Sequence, residues 1–314
     1  MKAWQFTGTG QPLALNEVAE PKAAPGEVVI DIKAAGLCHS DIGTMEDPKW
    51  LALLAKTPIT LGHEVAGVIS QIGENTRGYA IGDRVAIHPL SKTRPGYNRD
   101  GGYATKTTSR AEDLVRIPDN VSFAQAAVAT DAGMTSHHAI VGIGGVKAGT
   151  KVGIIGIGGL GQIGARVAVL LGAEVYAAEV NEAAWPLARA LGVTAIANDI
   201  SAFKDQDLDV IVDFAGFGTT TDSAIATVRH QGLVVLVGMG RLQANINTMP
   251  LIRKEVRLAG SVGGSADDIR AVLGYIANGS LTPVLAPITF DEIPDGLARL
   301  KAHTVKGRLV AEID

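Results

Sequence analysis

The chain has 314 residues, 46% of them hydrophobic and 19% charged, with 38 glycines, a composition that suits a compact α/β protein and sets disorder aside. Its 28 basic and 32 acidic residues leave a formal charge of -4 and form no Lys/Arg stripe, which weighs against a nucleic-acid partner. The single cysteine, the absence of an apolar signal core in "MKAWQFTGTGQPLALNEV", and the lack of any apolar run of ~18 residues lead to the expectation of a cytoplasmic protein with no membrane partner.

The first third reads as β. In "EVVIDIKAA", Val28, Ile30 and Ile32 alternate with period two, and short strands follow in "EVAGVISQIG", "DRVAIHP", "GYATKTT" and "LVRIP". Gly, Pro and Asp turns separate them, as in a small barrel or irregular sheet. Around "VSFAQAAVATDAGMTSHHAIVG" the pattern turns helical. From Lys151 onward six apolar strand-like runs ("KVGIIG", "EVYAAEV", "VTAIAN", "LDVIVDFAG", "LVVLVGM", "VRLAGSV") alternate with helical stretches such as "LGQIGARVAVLLG". Buried strands alternating with helices imply βαβ crossovers, so the spacing predicts a doubly wound parallel sheet of the dinucleotide-binding kind. After Gly279 the chain becomes irregular and ends in a strand-like "GRLVAEI", expected to return to the first domain.

"KVGIIGIGGLGQIG" supplies Gly156-x-Gly158-x-x-Gly161, with Gly159 and Leu160 inside the loop. The first glycine permits a tight turn, the second admits a pyrophosphate close to the backbone, and the third lets helix and strand pack; the helix N-terminus offers amides to phosphate. The motif alone is weak in a glycine-rich chain. Here it has its strand, its helix, and Glu179 at the end of "VYAAEV", placed to hold the adenosine ribose hydroxyls. Val180 and Asn181 follow it, with no Arg or Lys for a 2′-phosphate, so NAD(H) is favoured over NADP(H).

The lone cysteine, Cys38 in "GLCHSDIG", cannot close an internal disulfide. A single Cys is ordinarily a small buried hydrophobe, and a single His a satisfied structural one. Cys38 with Ser40 and Asp41, and His63 with Glu64 in "LGHEVAGV", gain meaning as a set beside a nucleotide-binding half.

With "GDRVAIHP", "DGGYA", "DAGMTSHHAI", "GIGGLGQIGARVA" and "LVVLVGMG", these segments make the chain similar to the zinc-dependent alcohol dehydrogenases of the medium-chain dehydrogenase/reductase family, in the family's order along nearly the whole sequence. The resemblance implies a GroES-like, β-rich catalytic domain over 1–132 and 285–314 and a Rossmann NAD-binding domain over 133–284. It implies a catalytic zinc held by Cys38 and His63. The family's third ligand, normally a Cys, falls at Asp131, whose carboxylate is an ordinary zinc donor and keeps the site neutral. Glu64 matches the family's acid near the metal, and Asp41 a partner orienting His63. Ser40 matches the hydroxyl that takes the alcohol proton. The family's relay histidine, three positions on, is replaced by Gly43. By the same resemblance His39 and Arg308 lie near the pyrophosphate and Thr135 near the nicotinamide, while Trp50, Leu51, His88 and Pro89 are candidates to line the substrate cleft.

The four-cysteine lobe of many relatives has no counterpart in "LSKTRPGYNR", so one zinc per chain and no structural zinc is the expectation. The implied activity is reversible hydride transfer between NAD(H) and a small or medium, largely apolar alcohol, aldehyde or ketone, in a homodimer or homotetramer. The alternatives are a zinc-free quinone or enoyl reductase of the same superfamily, which would need neither Cys38 nor His63, and a nucleotide-binding protein without catalysis.

Overall fold

The computed structural model describes residues 1–314 and contains sixteen strands. They are β1 (Lys2–Phe6), β2 (Ala14–Glu17), β3 (Glu27–Gly36), β4 (Ile59–Thr60), β5 (Glu64–Ile72), β6 (Arg84–Ile87), β7 (Lys106–Arg110), β8 (Leu114–Arg116), β9 (Lys151–Ile155), β10 (Glu174–Ala178), β11 (Ala195–Ala197), β12 (Val210–Asp213), β13 (Leu233–Leu236), β14 (Arg257–Gly260), β15 (Leu285–Thr289) and β16 (Arg308–Glu312). The chain forms two compact units. One comprises Met1–Asp131, Ser265–Gly279 and Val284–Asp314; the other comprises Ala132–Gly264 and Ser280–Pro283.

In the first unit, β15-β16-β3-β5-β6-β8 form one sheet, with β7 also paired to β3, and β2-β1-β4 form a small antiparallel one. The period-two pattern of "EVVIDIKAA" becomes β3, whose Val28, Ile30 and Ile32 enter a core shared with Phe6, Leu37, Val65, Ile69, Ile87 and Tyr103. As expected from "GRLVAEI", the chain returns here: β16 runs antiparallel to β3, with Val310 opposite Gly36. The hairpin of β1 and β2 and the strand β15 are additions to the sequence reading, and β7 starts later than "GYATKTT" suggested.

The second unit holds six parallel strands in the order β11-β10-β9-β12-β13-β14. That is the doubly wound order in which the chain starts centrally and reverses direction beside its first strand. The apolar runs are buried on both faces, as all-parallel sheets require: Val152, Ile154, Ile211, Val212, Val234 and Val235 are all fully enclosed.

The division of the chain differs from the expected one at one segment. Residues 265–279, counted above with the nucleotide-binding half, belong by contact to the first unit. The helix Ala266–Ala277 is an amphipathic piece burying Ile269, Val272, Leu273 and Ile276; it lies beside β8, and Asn120 Nδ2 donates to the Ala277 carbonyl at 2.7 Å. Residues 280–283 stay with the second unit, where Arg166 Nε donates to the Ser280 carbonyl at 2.7 Å. No helix is long and apolar enough to cross a membrane.

Candidate metal and dinucleotide sites

Four side chains of the first unit converge. The ligand atoms of Cys38, His63, Glu64 and Asp131 all lie within 4.8 Å of one another. Cys38 is the residue before the helix His39–Glu46, just beyond the end of β3; His63 and Glu64 open β5; Asp131 sits in a π-helical turn, Ala129–Gly133, that interrupts the helical stretch after Ser122. Such widened turns are recurrent where a helix must present a functional group.

The backbone explains the presentation. Gly62, at φ 88°, turns the chain immediately before His63. Gly36 is opposite Glu64 in the β3–β5 register, and a Cβ there would fall 1.9 Å from Glu64 Oε2. Only glycine therefore lets the Glu64 carboxylate lie across β3 towards β16. There it forms a buried ion pair with Arg308: Nη2 donates to Oε1, and Nε to Oε2 at 3.3 Å, with the side chains 3% and 0% exposed.

Asp41 lies behind the ligands and is almost fully buried. Its Oδ2 accepts from the Cys38 amide at 3.0 Å and from the Tyr103 hydroxyl at 2.8 Å, and its Oδ1 is 3.3 Å from His63 Nδ1. Nδ1 finds no well-aligned hydrogen bond, so it faces this carboxylate as a charge partner rather than in a short bond. A carboxylate on Nδ1 favours the tautomer whose Nε2 lone pair faces the other ligands.

The residues fit a zinc ion on spacing as well as on type. His63 Nε2 is 3.4 Å, and Cys38 Sγ 3.5 Å, from Asp131 Oδ2. Tetrahedral zinc bonds put such nitrogen–oxygen and sulfur–oxygen pairs about 3.4 and about 3.6 Å apart. Hydrogen bonds of nitrogen to oxygen would instead draw in to about 2.9 Å. The charges also close: a thiolate and the Asp131 carboxylate match a divalent cation, while Glu64 is matched by Arg308.

Electrostatics follow from this crowding. Burial depresses His63, but Asp41, Tyr97 and Asp131 together hold its imidazole well above its ordinary value. Burial pushes the Glu64 carboxyl up, while the Arg308 guanidinium against it favours the charged form and Asp131 adds to the upward shift. The Arg308 guanidinium is buried against Glu64, with Nη2 3.4 Å from Asp131 Oδ2, where the low-dielectric site needs a cation for its third carboxylate. His39 is exposed on the helix face, stacked on His303 with ring centroids 5.5 Å apart. Partial desolvation of the ring by its neighbours, with the positive charge of Arg308 and then His303, holds it below its usual value.

The glycine loop is in the second unit, after β9. Gly156 has φ 86°, and a Cβ on Gly161 would lie 1.8 Å from the Gly156 carbonyl oxygen, so both glycines are demanded by the chain's own packing. A Cβ on Gly158 would meet nothing within 4 Å. The open space beside Gly158 is the kind of cradle a phosphate needs. The Gly158, Gly159 and Leu160 amides are not spent on other backbone carbonyls. The Glu179 carboxylate accepts from Ile157 N at 2.8 Å and Asn181 N at 2.7 Å, one bond per oxygen, so it braces the loop and keeps lone pairs for hydroxyl donors. Val180 is 83% exposed beside it, and the Asn181 side chain caps Ala183. Thr135 is buried in the short helix Met134–His137 of the same unit.

Two aromatic residues near the metal ligands were not singled out from the sequence. Tyr103 was quoted within "DGGYA" but read no further; its hydroxyl supports Asp41, and a Cβ on Gly101 would fall 2.2 Å from the Gly62 carbonyl oxygen, which explains the paired glycines. Tyr97 packs its ring 5.7 Å from that of His63. Trp50 lies against Gly43.

The alcohol dehydrogenase GroES-like domain matches residues 24–119 and the zinc-binding dehydrogenase domain residues 159–278. An alcohol dehydrogenase of Geobacillus stearothermophilus is 31% identical over 340 aligned positions, covering all of both chains. Among solved structures, the alcohol dehydrogenase of the hyperthermophilic archaeon Aeropyrum pernix superposes with a TM-score of 0.90 at 28% identity, covering 99% of this chain and 100% of that one. Acetophenone reductase from Geotrichum candidum, solved in complex with NAD, superposes with a TM-score of 0.88 at 28% identity, covering 99% and 96%.

Proposed function

Because the chain belongs to the zinc-binding alcohol dehydrogenases of the medium-chain dehydrogenase/reductase family, we propose that it is a zinc-dependent enzyme. It moves hydride between NAD(H) and a small or medium, largely apolar alcohol or carbonyl compound. The observation that carries the zinc reading is the 3.4 Å spacing of His63 Nε2 from Asp131 Oδ2, wide for a nitrogen–oxygen hydrogen bond and right for a shared ion, with Cys38 Sγ at 3.5 Å from the same oxygen, a spacing tetrahedral zinc also accommodates. When bound, zinc supplies Lewis acidity towards the substrate oxygen, and NAD supplies the hydride acceptor.

The protein's own groups divide the rest of the work. Cys38, His63 and Asp131 would hold the metal, a three-residue donor set of the kind catalytic rather than structural zinc sites use. Asp41 fixes the His63 ring by facing Nδ1. Glu64, paired to Arg308, keeps the rear of the site dry and charge-balanced. Ser40 Oγ accepts the alcohol proton. The loop amides of Gly158, Gly159 and Leu160 bind the pyrophosphate, while Glu179 takes the ribose hydroxyls and disfavours a 2′-phosphate. The exposed Leu258 on the edge strand β14, with Ile252 and Val262 nearby, supports assembly as a homodimer or homotetramer.

An NADH-linked screen over alcohols, aldehydes, ketones and polyols, with and without a chelator, tests the reading together with metal analysis. The expected result is chelator-sensitive turnover with one zinc per chain. Chelator-resistant turnover in metal-free protein would favour the zinc-free reductase, and a second zinc per chain would overturn the expectation drawn from "LSKTRPGYNR".

A further inference from the structure

Residues 90–99, which stand where relatives carry the four-cysteine lobe, are tied down at several points. Thr93 is fully buried: its amide and hydroxyl donate to Asp113 Oδ2 at 2.8 and 2.5 Å, and its Oγ1 accepts from Arg110 N at 3.1 Å. Arg99 ties the far end to Glu27 at 3.0 Å. Between these anchors Gly96, at φ 78°, brings the backbone against Gly62, the residue before His63, and Ala55 N donates to the Tyr97 carbonyl at 2.9 Å. A loop held this firmly fixes its side chains.

Arg94 is the residue of this loop whose polar group is left over. Its backbone is left-handed, at φ 39°, a region that a residue with a long side chain seldom occupies unless its surroundings impose it. Its guanidinium carbon lies over the Tyr97 ring, 5.5 Å from the centroid, and the centroid of the same ring lies 5.7 Å from that of His63. One aromatic side chain thus links the cation to a metal ligand. The stack engages a face of the guanidinium and leaves its N–H edge for an in-plane acceptor. The protein supplies Nε with none, although that atom is fully enclosed. The carboxylates around the loop are spent elsewhere: Asp113 on Thr93, Glu27 on Arg99, and Asp100 on Lys56 at 2.6 Å and the Thr60 amide at 2.8 Å.

Resting on the reading of the chain as a zinc-dependent alcohol dehydrogenase, we propose that Arg94 is a specificity-determining residue that binds a carboxylate of the substrate, at the end away from the reacting carbon. The substrates are then hydroxy acids and their oxo counterparts, with an apolar chain long enough to pass one aromatic ring. An enclosed guanidinium donor without an acceptor is costly until an anion completes it. A carboxylate fits the guanidinium fork through two parallel charge-assisted bonds, which a neutral group cannot match. The carboxylate takes no part in the hydride transfer.

The test measures, on one preparation of zinc-loaded enzyme, kcat/KM for ω-hydroxyhexanoate and for its amide, which differ only in the group that would meet Arg94. The acid is expected to be preferred about tenfold or more, the worth of hydrogen bonds to a charged group. In Arg94→Gln the ratio is expected to fall to near one, and in Arg94→Lys, which keeps the charge without the fork, to an intermediate value. Because the ratio is internal to each preparation, a loss of zinc or of folded protein cancels from it. Chelator-sensitive turnover of both compounds without preference in the parent overturns the inference and leaves the proposed function standing. A preference that survives in Arg94→Gln also overturns it, since the metal or another cation would then be selecting the anion. If neither compound is turned over, the proposed function fails, and calorimetric binding of hexanoate against hexanamide decides. Equal binding then overturns the inference, and tighter hexanoate binding that Arg94→Gln abolishes upholds it.

Discussion

The indole of Trp50 packs against Gly43 so closely that a Cβ placed on Gly43 would sit 3.0 Å from two of its ring carbons. The missing relay histidine is therefore not a simple vacancy that a substitution could fill. Gly43→His is expected to lower stability by about 1–3 kcal/mol through overpacking and to leave turnover no higher than in the parent. Thermal melts with parallel kinetics check both parts; a gain in kcat at unchanged stability would show that the position is open after all.

Asp131→Ala removes the oxygen that both Cys38 and His63 face. The variant is expected to lose zinc and alcohol oxidation together while NADH binding persists, because the glycine loop and Glu179 lie in the other unit. Metal analysis and NADH fluorescence titration separate the two outcomes. Full zinc content would remove Asp131 from the ligand set.

Arg308→Met leaves Glu64 and Asp131 without their buried cation. Breaking such a pair is expected to cost about 3–5 kcal/mol, whereas changing both partners, Arg308→Met with Glu64→Leu, should recover much of that loss. Denaturant unfolding of the two variants provides the comparison. Equal losses in both would mean that lost packing, rather than an unpaired charge, sets the cost.

Zinc affinity should depend on pH with a definite sign. In the metal-free protein His63 is held above its ordinary value, so it carries a proton at neutral pH that zinc must displace. Apparent affinity is expected to fall as pH falls, by about one decade per pH unit for each proton displaced. Because the folded pKa is raised, the dependence should persist above pH 6.5. Competition titrations across pH 6 to 9 measure it, and a flat profile over that interval would contradict the assignment.

Glu179→Ala should weaken NAD binding about tenfold, since the carboxylate both braces Ile157 and remains available to ribose hydroxyls. Isothermal titration with NAD and NADP tests this. Equal NAD affinity would take Glu179 out of the cofactor site.

How far the sequence carries can be seen residue by residue. The six parallel strands were legible because each is a short apolar run buried on both faces, and the glycine loop because its turn, strand and helix are contiguous. Cys38, His63 and Asp131 could be grouped only by resemblance, as 93 and 68 residues separate Asp131 from its two partners. The Arg308–Glu64 pair was not legible for a related reason: nothing local to "KGRLV" shows that β16 pairs with β3 and faces Glu64 from the far end of the chain. Tyr97 carries no motif of its own. Its position comes from the Thr93 anchor and the Gly96–Gly62 approach, both of which exist only in three dimensions. The apolar positions of the helix Ala266–Ala277 recur at helical spacing, but such spacing says which face is apolar and not which unit will cover it.

The pairing of Glu64 with Arg308 also has a meaning in time. The two residues are 244 positions apart, so at about 5–20 residues per second a ribosome needs on the order of 10–50 s to make the second after the first. For the last 177 residues of that interval the nascent chain already holds every candidate metal ligand and the glycine that seats Glu64, yet lacks the cation that neutralises it. Strand β16, docking beside β3 with Leu37 N donating to the Leu309 carbonyl at 3.0 Å, is thus the closing step of the first unit's assembly. Neutralisation of Glu64 therefore waits until Arg308 has been made.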